Sequence, residues 1–329
     1  MANASRASIE ADVARATIHA SDATHAEKIE MLMEIAMGLQ QKPKTADDIL
    51  DAIALYEEGL ALCGDDTVLL KARVGARLAT AQMRFPADDA TYLQNARANI
   101  EAALETLRTH GIPSEIAEAE MNYGLILQNL SAVHQARIQD CISAYQRALR
   151  TFDAKNFPAE FAILQNNLAT AFLSIPFTDE RGKMREALAV QAFEEGLRGV
   201  SLVDHPSEYA MLQNNLGNAL QYVSSSHRME NGFRALEAYD EALRVRNKSN
   251  TPIEYANTIA NKANCLANLP DDPQNPQAGN QKHIKSALSL YHEAMAIFRN
   301  FGESQKVDAV SAAILELETP EDDTQNLSN

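Results

Sequence analysis

One stretch of this 329-residue chain is written twice. Phe157-Pro-Ala-Glu-Phe-Ala-Ile-Leu-Gln-Asn-Asn-Leu-Ala-Thr-Ala-Phe172 returns as His205-Pro-Ser-Glu-Tyr-Ala-Met-Leu-Gln-Asn-Asn-Leu-Gly-Asn-Ala-Leu220. A fixed-period duplication restricts the chain to repeat architectures, in which each copy is one supersecondary unit that buries its apolar face only against its neighbours.

A second pattern shows that the copies run through most of the chain. A small residue, an aromatic or Ile four places on, another small residue three further and an apolar residue after it occur at Ala52/Tyr56/Gly59/Leu60 and Ala96/Ile100/Ala103/Leu104. They recur at Cys141/Tyr145/Ala148/Leu149, Ala189/Phe193/Gly196/Leu197, Ala235/Tyr239/Ala242/Leu243 and Ala287/Tyr291/Ala294/Met295. The leading small residues are spaced 44, 45, 48, 46 and 52 apart. Positions i, i+4, i+7 and i+8 share one helix face, so each copy presents a notch, a knob and a notch that lets a second helix approach closely.

The helix before each notch helix repeats as well. Pro113, Pro158, Pro206 and Pro252 are each followed two residues later by Glu115, Glu160, Glu208 or Glu254. Proline in the first turn with an acid just after it marks a helix start. Each unit is therefore read as two antiparallel helices, A then B. Trp is absent, and only 13 Gly and 11 Pro are present, which suits helix rather than sheet.

The small-x3-aromatic-x2-small pattern in helix B, after a Leu-Gly or Leu-Ala pair in helix A, resembles the tetratricopeptide repeat. The Gln-Asn-Asn-Leu-Gly/Ala wording and the spacing near 46 resemble its longer-repeat form, as in kinesin light chains and bacterial regulatory arrays. The resemblance implies an all-α, right-handed solenoid of about six antiparallel helix pairs. The expected division is a leading helix or frayed segment over 1–22 and a solenoid over 23–317. Its units lie near 23–63, 64–111, 112–156, 157–204, 205–250 and 251–302, before a capping helix; 318–329 is an acidic, disordered tail. The first large aromatic of the family's helix A is missing from its usual place, where Gln165 and Gln213 stand.

A solenoid of helix pairs is curved, with the A helices on the hollow side. The residue just before the Leu-Gly or Leu-Ala pair, or before Tyr123-Gly124 and Lys262-Ala263 at the same offset from the proline, reads Asn122, Asn167, Asn215 and Asn261, spaced 45, 48 and 46. Arg73 and Glu34 take that place in the first two units. Asn166, Asn214, Asn218 and Asn264 thicken the row, with Gln128 and Gln221 one to two turns on. A carboxamide offers donor and acceptor together, which suits the backbone of an extended peptide. Relatives with such a row hold extended segments in this way, so the resemblance implies the same role. Bonding of each Asn to the next unit's helix is the structural alternative.

Net charge is −16, which repels phosphate backbones and anionic membranes and favours a partner with an extended, basic segment. The three cysteines are far apart and the eight His are dispersed, so no metal site is expected. No phosphate loop, nucleophile elbow or paired-carboxylate motif is present, and no cofactor or catalysis is expected. Without an apolar leader or an 18-residue apolar run, the chain reads as cytoplasmic. Met31, Met33 and Met37 read as core filling, the repeat Tyr residues as knobs and Cys141 as a buried notch. The functional expectation is an interaction scaffold or adaptor; the alternative is an assembly chaperone or an accessory subunit docked on an enzyme complex.

Overall fold

The computed structural model describes residues 6–175, 180–223 and 227–319. The described residues form helices without strands, and the chain divides into two compact units, Met1–Asp153 and Ala154–Asn329.

The first unit contains α1 (Arg6–Ala20), α2 (His25–Gln41), α3 (Ala46–Leu62), α4 (Val68–Arg84), α5 (Thr91–His110), α6 (Pro113–Ala132) and α7 (Ile138–Ala148). It is built of three hairpins, α2/α3, α4/α5 and α6/α7, each packed on the next, with α1 laid against α2 and α3. The second unit contains α8 (Pro158–Leu173), α9 (Glu180–Gly199), α10 (Pro206–Tyr222), α11 (Arg228–Leu243), α12 (Pro252–Ala267), α13 (Gln281–Asn300) and α14 (Ser304–Glu318). It too has three hairpins, α8/α9, α10/α11 and α12/α13, and α14 covers the end of α13.

The helix starts follow from local chemistry. Proline stands in the first turn of α6, α8, α10 and α12, where its missing N–H has no intrahelical partner to lose. At α2, Thr24 and Glu27 exchange side-chain and backbone bonds in a capping box. In the second unit α9 begins at Glu180, and residues 176–179 and 224–226 lie outside the described residues. The tail expected from 318 on also lies outside them beyond Thr319, and Glu318 is the last residue of α14.

The knobs and notches form the core. Tyr56, Tyr145 and Tyr239 are fully buried, as are the notches Ala52, Cys141, Ala148, Ala235 and Ala242. A close approach explains two glycines. A Cβ on Gly124 would lie 2.5 Å from Tyr145 Cε1, and one on Gly217 would lie 2.6 Å from Tyr239 Cε1. Each knob thus lies flat on the backbone of its own A helix.

A buried phenol needs a partner for its hydroxyl. Tyr56 donates to Gln40 Oε1 at 3.0 Å and Tyr145 to Gln128 Oε1 at 2.8 Å, while the single Tyr239 proton is shared between Gln221 Oε1 at 3.0 Å and Asn218 Oδ1 at 2.7 Å. Where Ile100 replaces the Tyr, Asn99 donates instead to Gln82 Oε1 at 2.9 Å. A glutamine late in helix A therefore clasps helix B in four hairpins. Burial pushes the Tyr56 hydroxyl up to about 12, and those of Tyr145 and Tyr239 higher still, so each stays a donor. Burial likewise lifts the Cys141 and Cys265 thiols to about 12, which leaves both inert.

Candidate protein-interaction face

In each unit the A helices face one another. In the first, α4 packs against both α2 and α6; in the second, α10 packs against both α8 and α12. The B helices do not approach one another so closely, and the Arg234–Glu194 ion pair links α11 to α9 by side chains alone. Each unit therefore bends with its A helices inward, and residues in the Asn column stand on this inner side.

In the second unit the carboxamides form a continuous chain. Asn166 Nδ2 donates to Asn167 Oδ1 at 3.2 Å, and Asn215 Nδ2 donates to Asn166 Oδ1 at 2.7 Å. Asn214 Nδ2 donates to Asn215 Oδ1 at 2.9 Å, and Asn261 Nδ2 donates to Asn214 Oδ1 at 3.3 Å. Two of these bonds stay within a helix and two cross between repeats, so the chain runs from α8 over α10 to α12. It ends there because Ala260 occupies the place that Asn166 and Asn214 hold in the preceding repeats. Asn214 is 7% exposed, and the other members are partly exposed.

The outlying amides have different partners. Asn218 Oδ1 accepts from the Tyr239 hydroxyl at 2.7 Å, and Asn264 Nδ2 donates to the Tyr222 hydroxyl at 2.5 Å. Gln128 and Gln221 belong to the hairpin clasps rather than to the row. The doubled Asn in the sequence thus has a structural duty: one member reaches the next repeat while the other relays the bond along its own helix.

The first unit is built differently. Met121 precedes Asn122, so no doubled amide is present. Charges link the helices instead: Arg73 Nε meets Glu115 at 2.7 Å and Arg77 Nη1 meets Glu118 at 3.1 Å, both between α4 and α6. These pairs flank a cleft of about 140 Å³ lined by Met33, Arg73, Arg77, Thr80, Glu118 and Asn122. Met33 is the α2 residue there rather than Glu34. Met37 packs with Met33 against the core, whereas Met31 is 43% exposed and fills nothing.

Two features escaped the sequence reading. The large aromatic of helix A lies one turn earlier than Gln165 and Gln213, as Phe161, Tyr209 and Tyr255. Tyr209 and Tyr255 donate to Glu241 and Glu293 of the paired B helix, each at 2.7 Å. The signal was present, three residues after Pro158, Pro206 and Pro252. The second is Glu120, 2% exposed on α6, which accepts from Arg108 on α5 and from Arg147 on α7 at 2.7 Å each.

Among the described residues no group of His, Cys, Asp and Glu could hold a metal, and no helix is long and apolar enough to cross a membrane.

Stacked antiparallel helix hairpins with small-residue notches define a helical-repeat protein of the α-solenoid class. Neither a family model nor a curated protein sequence matches the chain. Among solved structures it is similar to BtubC (BKLC) from P. vanneervenii, at 20% identity over 73% of this chain and 88% of that one, with a TM-score of 0.50. It is also similar to PH0952 of Pyrococcus horikoshii, a signal transduction ATPase with numerous domains and a tetratricopeptide repeat sensor. That match is at 12% identity over 93% of this chain, with a TM-score of 0.50, and spans 44% of the other chain. The fold is the tetratricopeptide-repeat fold.

Proposed function

We propose that the chain is a non-catalytic scaffold that holds an extended segment of another protein against its A helices. Asn167, Asn215 and Asn261 carry the contact, supported by Asn166, Asn214, Asn218 and Asn264; Asn122 plays the same part in the first unit. The observation behind this reading is the amide chain. A carboxamide has two N–H donors and two acceptor lone pairs. The bonds along the chain use one donor and one acceptor of Asn215, which leaves one of each for a ligand backbone. Aligned amide bonds also polarise one another, which strengthens the outermost groups as donors and acceptors.

The same bonds fit a purely structural role, and the test separates the two. Asn167 only accepts from its helix neighbour, whereas Asn215 also bonds across repeats. Asn167→Ala should weaken capture of a partner identified by mass spectrometry while leaving the unfolding midpoint nearly unchanged. Asn215→Ala should lower both. Capture untouched in both variants would refute groove binding. A partner that co-purifies as a folded, stoichiometric subunit over a broad apolar interface would instead favour the accessory-subunit role.

A further inference from the structure

The inner face of the second unit carries more than amides. One row lies two residues after each helix-starting proline, Glu160, Glu208 and Glu254, and one turn later stand Ile163, Met211 and Asn257. Residues three apart on a helix are surface neighbours, so α8 and α10 each pair a carboxylate with an apolar side chain on one face. One further turn along the same face come Asn167 and Asn215. The equivalent Glu115 of the first unit is neutralised by Arg73. Glu160 and Glu208 meet no such cation among the described residues, and Glu254 feels the charge of the partly buried Arg246. The one lysine on these three helices, Lys262, is bound to Asp240.

A carboxylate beyond an apolar patch complements a long basic side chain, whose methylene stem lies on apolar surface while its head reaches charge. The spacing selects a backbone as well. Adjacent helices pack about 8–10 Å apart. In a β-strand, residues three apart point to opposite faces. In a polyproline II segment they point the same way and advance about 9 Å, with every backbone N–H and C=O left unbonded. Only the second matches one basic side chain to each repeat while keeping backbone groups open to the amides.

We propose that the second unit's inner face takes a basic polyproline II segment with Arg or Lys at every third position, the stems lying on Ile163 and Met211 and the heads on Glu160 and Glu208. This rests on the groove reading above and adds the partner's chemistry, conformation and period.

The probe is a fluorescent peptide of about twelve residues, enough for four polyproline II turns, built of Arg-Pro-Ala repeats. A control of the same composition places Arg at every second residue in one half. Fluorescence anisotropy with the full chain should show the period-three peptide binding about tenfold tighter than the control, and Glu160→Gln/Glu208→Gln weakening it about tenfold, the loss of two partly exposed ion pairs. Circular dichroism of this isosteric variant confirms its fold. Equal affinity for both peptides, affinity unchanged in the variant, or no binding by the wild type would each overturn the proposal. Native-partner capture that is lost in Asn167→Ala but unchanged in Glu160→Gln/Glu208→Gln would also overturn it, while leaving groove binding in place.

Discussion

Gly124→Ala and Gly38→Ala are the same chemical change in the same unit, and the structure gives them opposite signs. At Gly124 the new methyl would lie 2.5, 2.6 and 3.1 Å from three ring atoms of Tyr145. Ordinary contact begins at about 3.4 Å, so the overlap is close to an ångström. The ring has no free direction in which to retreat, because it is fully buried and its hydroxyl is tied to Gln128. Forcing a methyl into a filled core costs about 1–3 kcal/mol. Replacing glycine within a helix returns up to about 1 kcal/mol. A clash with three buried ring atoms falls in the upper part of the overpacking range, so the net effect is a loss of about 1–2 kcal/mol. At Gly38, inside α2, a Cβ meets nothing within 4 Å. Only the propensity gain remains, a stabilisation of about 0.5–1 kcal/mol. Urea unfolding followed by far-ultraviolet circular dichroism should move the two midpoints in opposite directions. A Gly124→Ala midpoint at or above wild type would refute the contact between knob and backbone on which the hairpin model depends.

Two further perturbations probe charge. Glu120→Gln removes the carboxylate shared by Arg108 and Arg147. Because both guanidiniums reach water, at 53% and 36% exposure, the expected cost is about 1–2 kcal/mol, read in the same unfolding assay. Acidification should destabilise the fold through three other carboxylates. The Tyr209 hydroxyl, then Arg244, holds Glu241 below the ordinary Glu value of 4.5. At Glu115 the upward push of burial is outweighed by Arg73 and the Ile112 N–H, and at Glu293 it is outweighed by Lys248 and Tyr255. A depressed folded-state value means stability that is fully present above 4.5 and lost as pH falls through the folded value. Thermal melts should therefore be flat above that point and drop below it; a drop beginning near neutrality would contradict the assignment.

The hairpins were legible in the sequence because their determinants are local. Ala235, Tyr239 and Ala242 fall at i, i+4 and i+7, and a 3.6-residue period puts them on one face whatever surrounds them. Pro206 and Glu208 mark a helix start by the same short-range logic. The contacts that join helices were not legible. Asn166 and Asn215 are 49 residues apart, and nothing in either copy states that their side chains touch. The Tyr-to-Gln clasp spans 16, 17 and 18 residues in different hairpins, because the turns between differ in length, so no fixed period reveals it. Met31, Met33 and Met37 look alike in sequence, yet only two of them face the core. The repeat also hid the break between the units, since Asp153 and Ala154 lie in an ordinary inter-repeat turn.

The α4–α6 seam of the first unit and the α8–α10–α12 seam of the second are fastened by different chemistries, and solvent acts on these unequally. Arg73–Glu115 and Arg77–Glu118 are partly exposed ion pairs, and dissolved salt shortens the reach of such charges to about 8 Å at physiological strength and 3 Å at molar strength. The Asn166–Asn215 and Asn214–Asn261 contacts join neutral groups and carry no such dependence. A rise in ionic strength therefore weakens the α4–α6 pairs and spares the amide contacts among α8, α10 and α12, so one chain contains a helix seam tuned by its electrolyte and another indifferent to it.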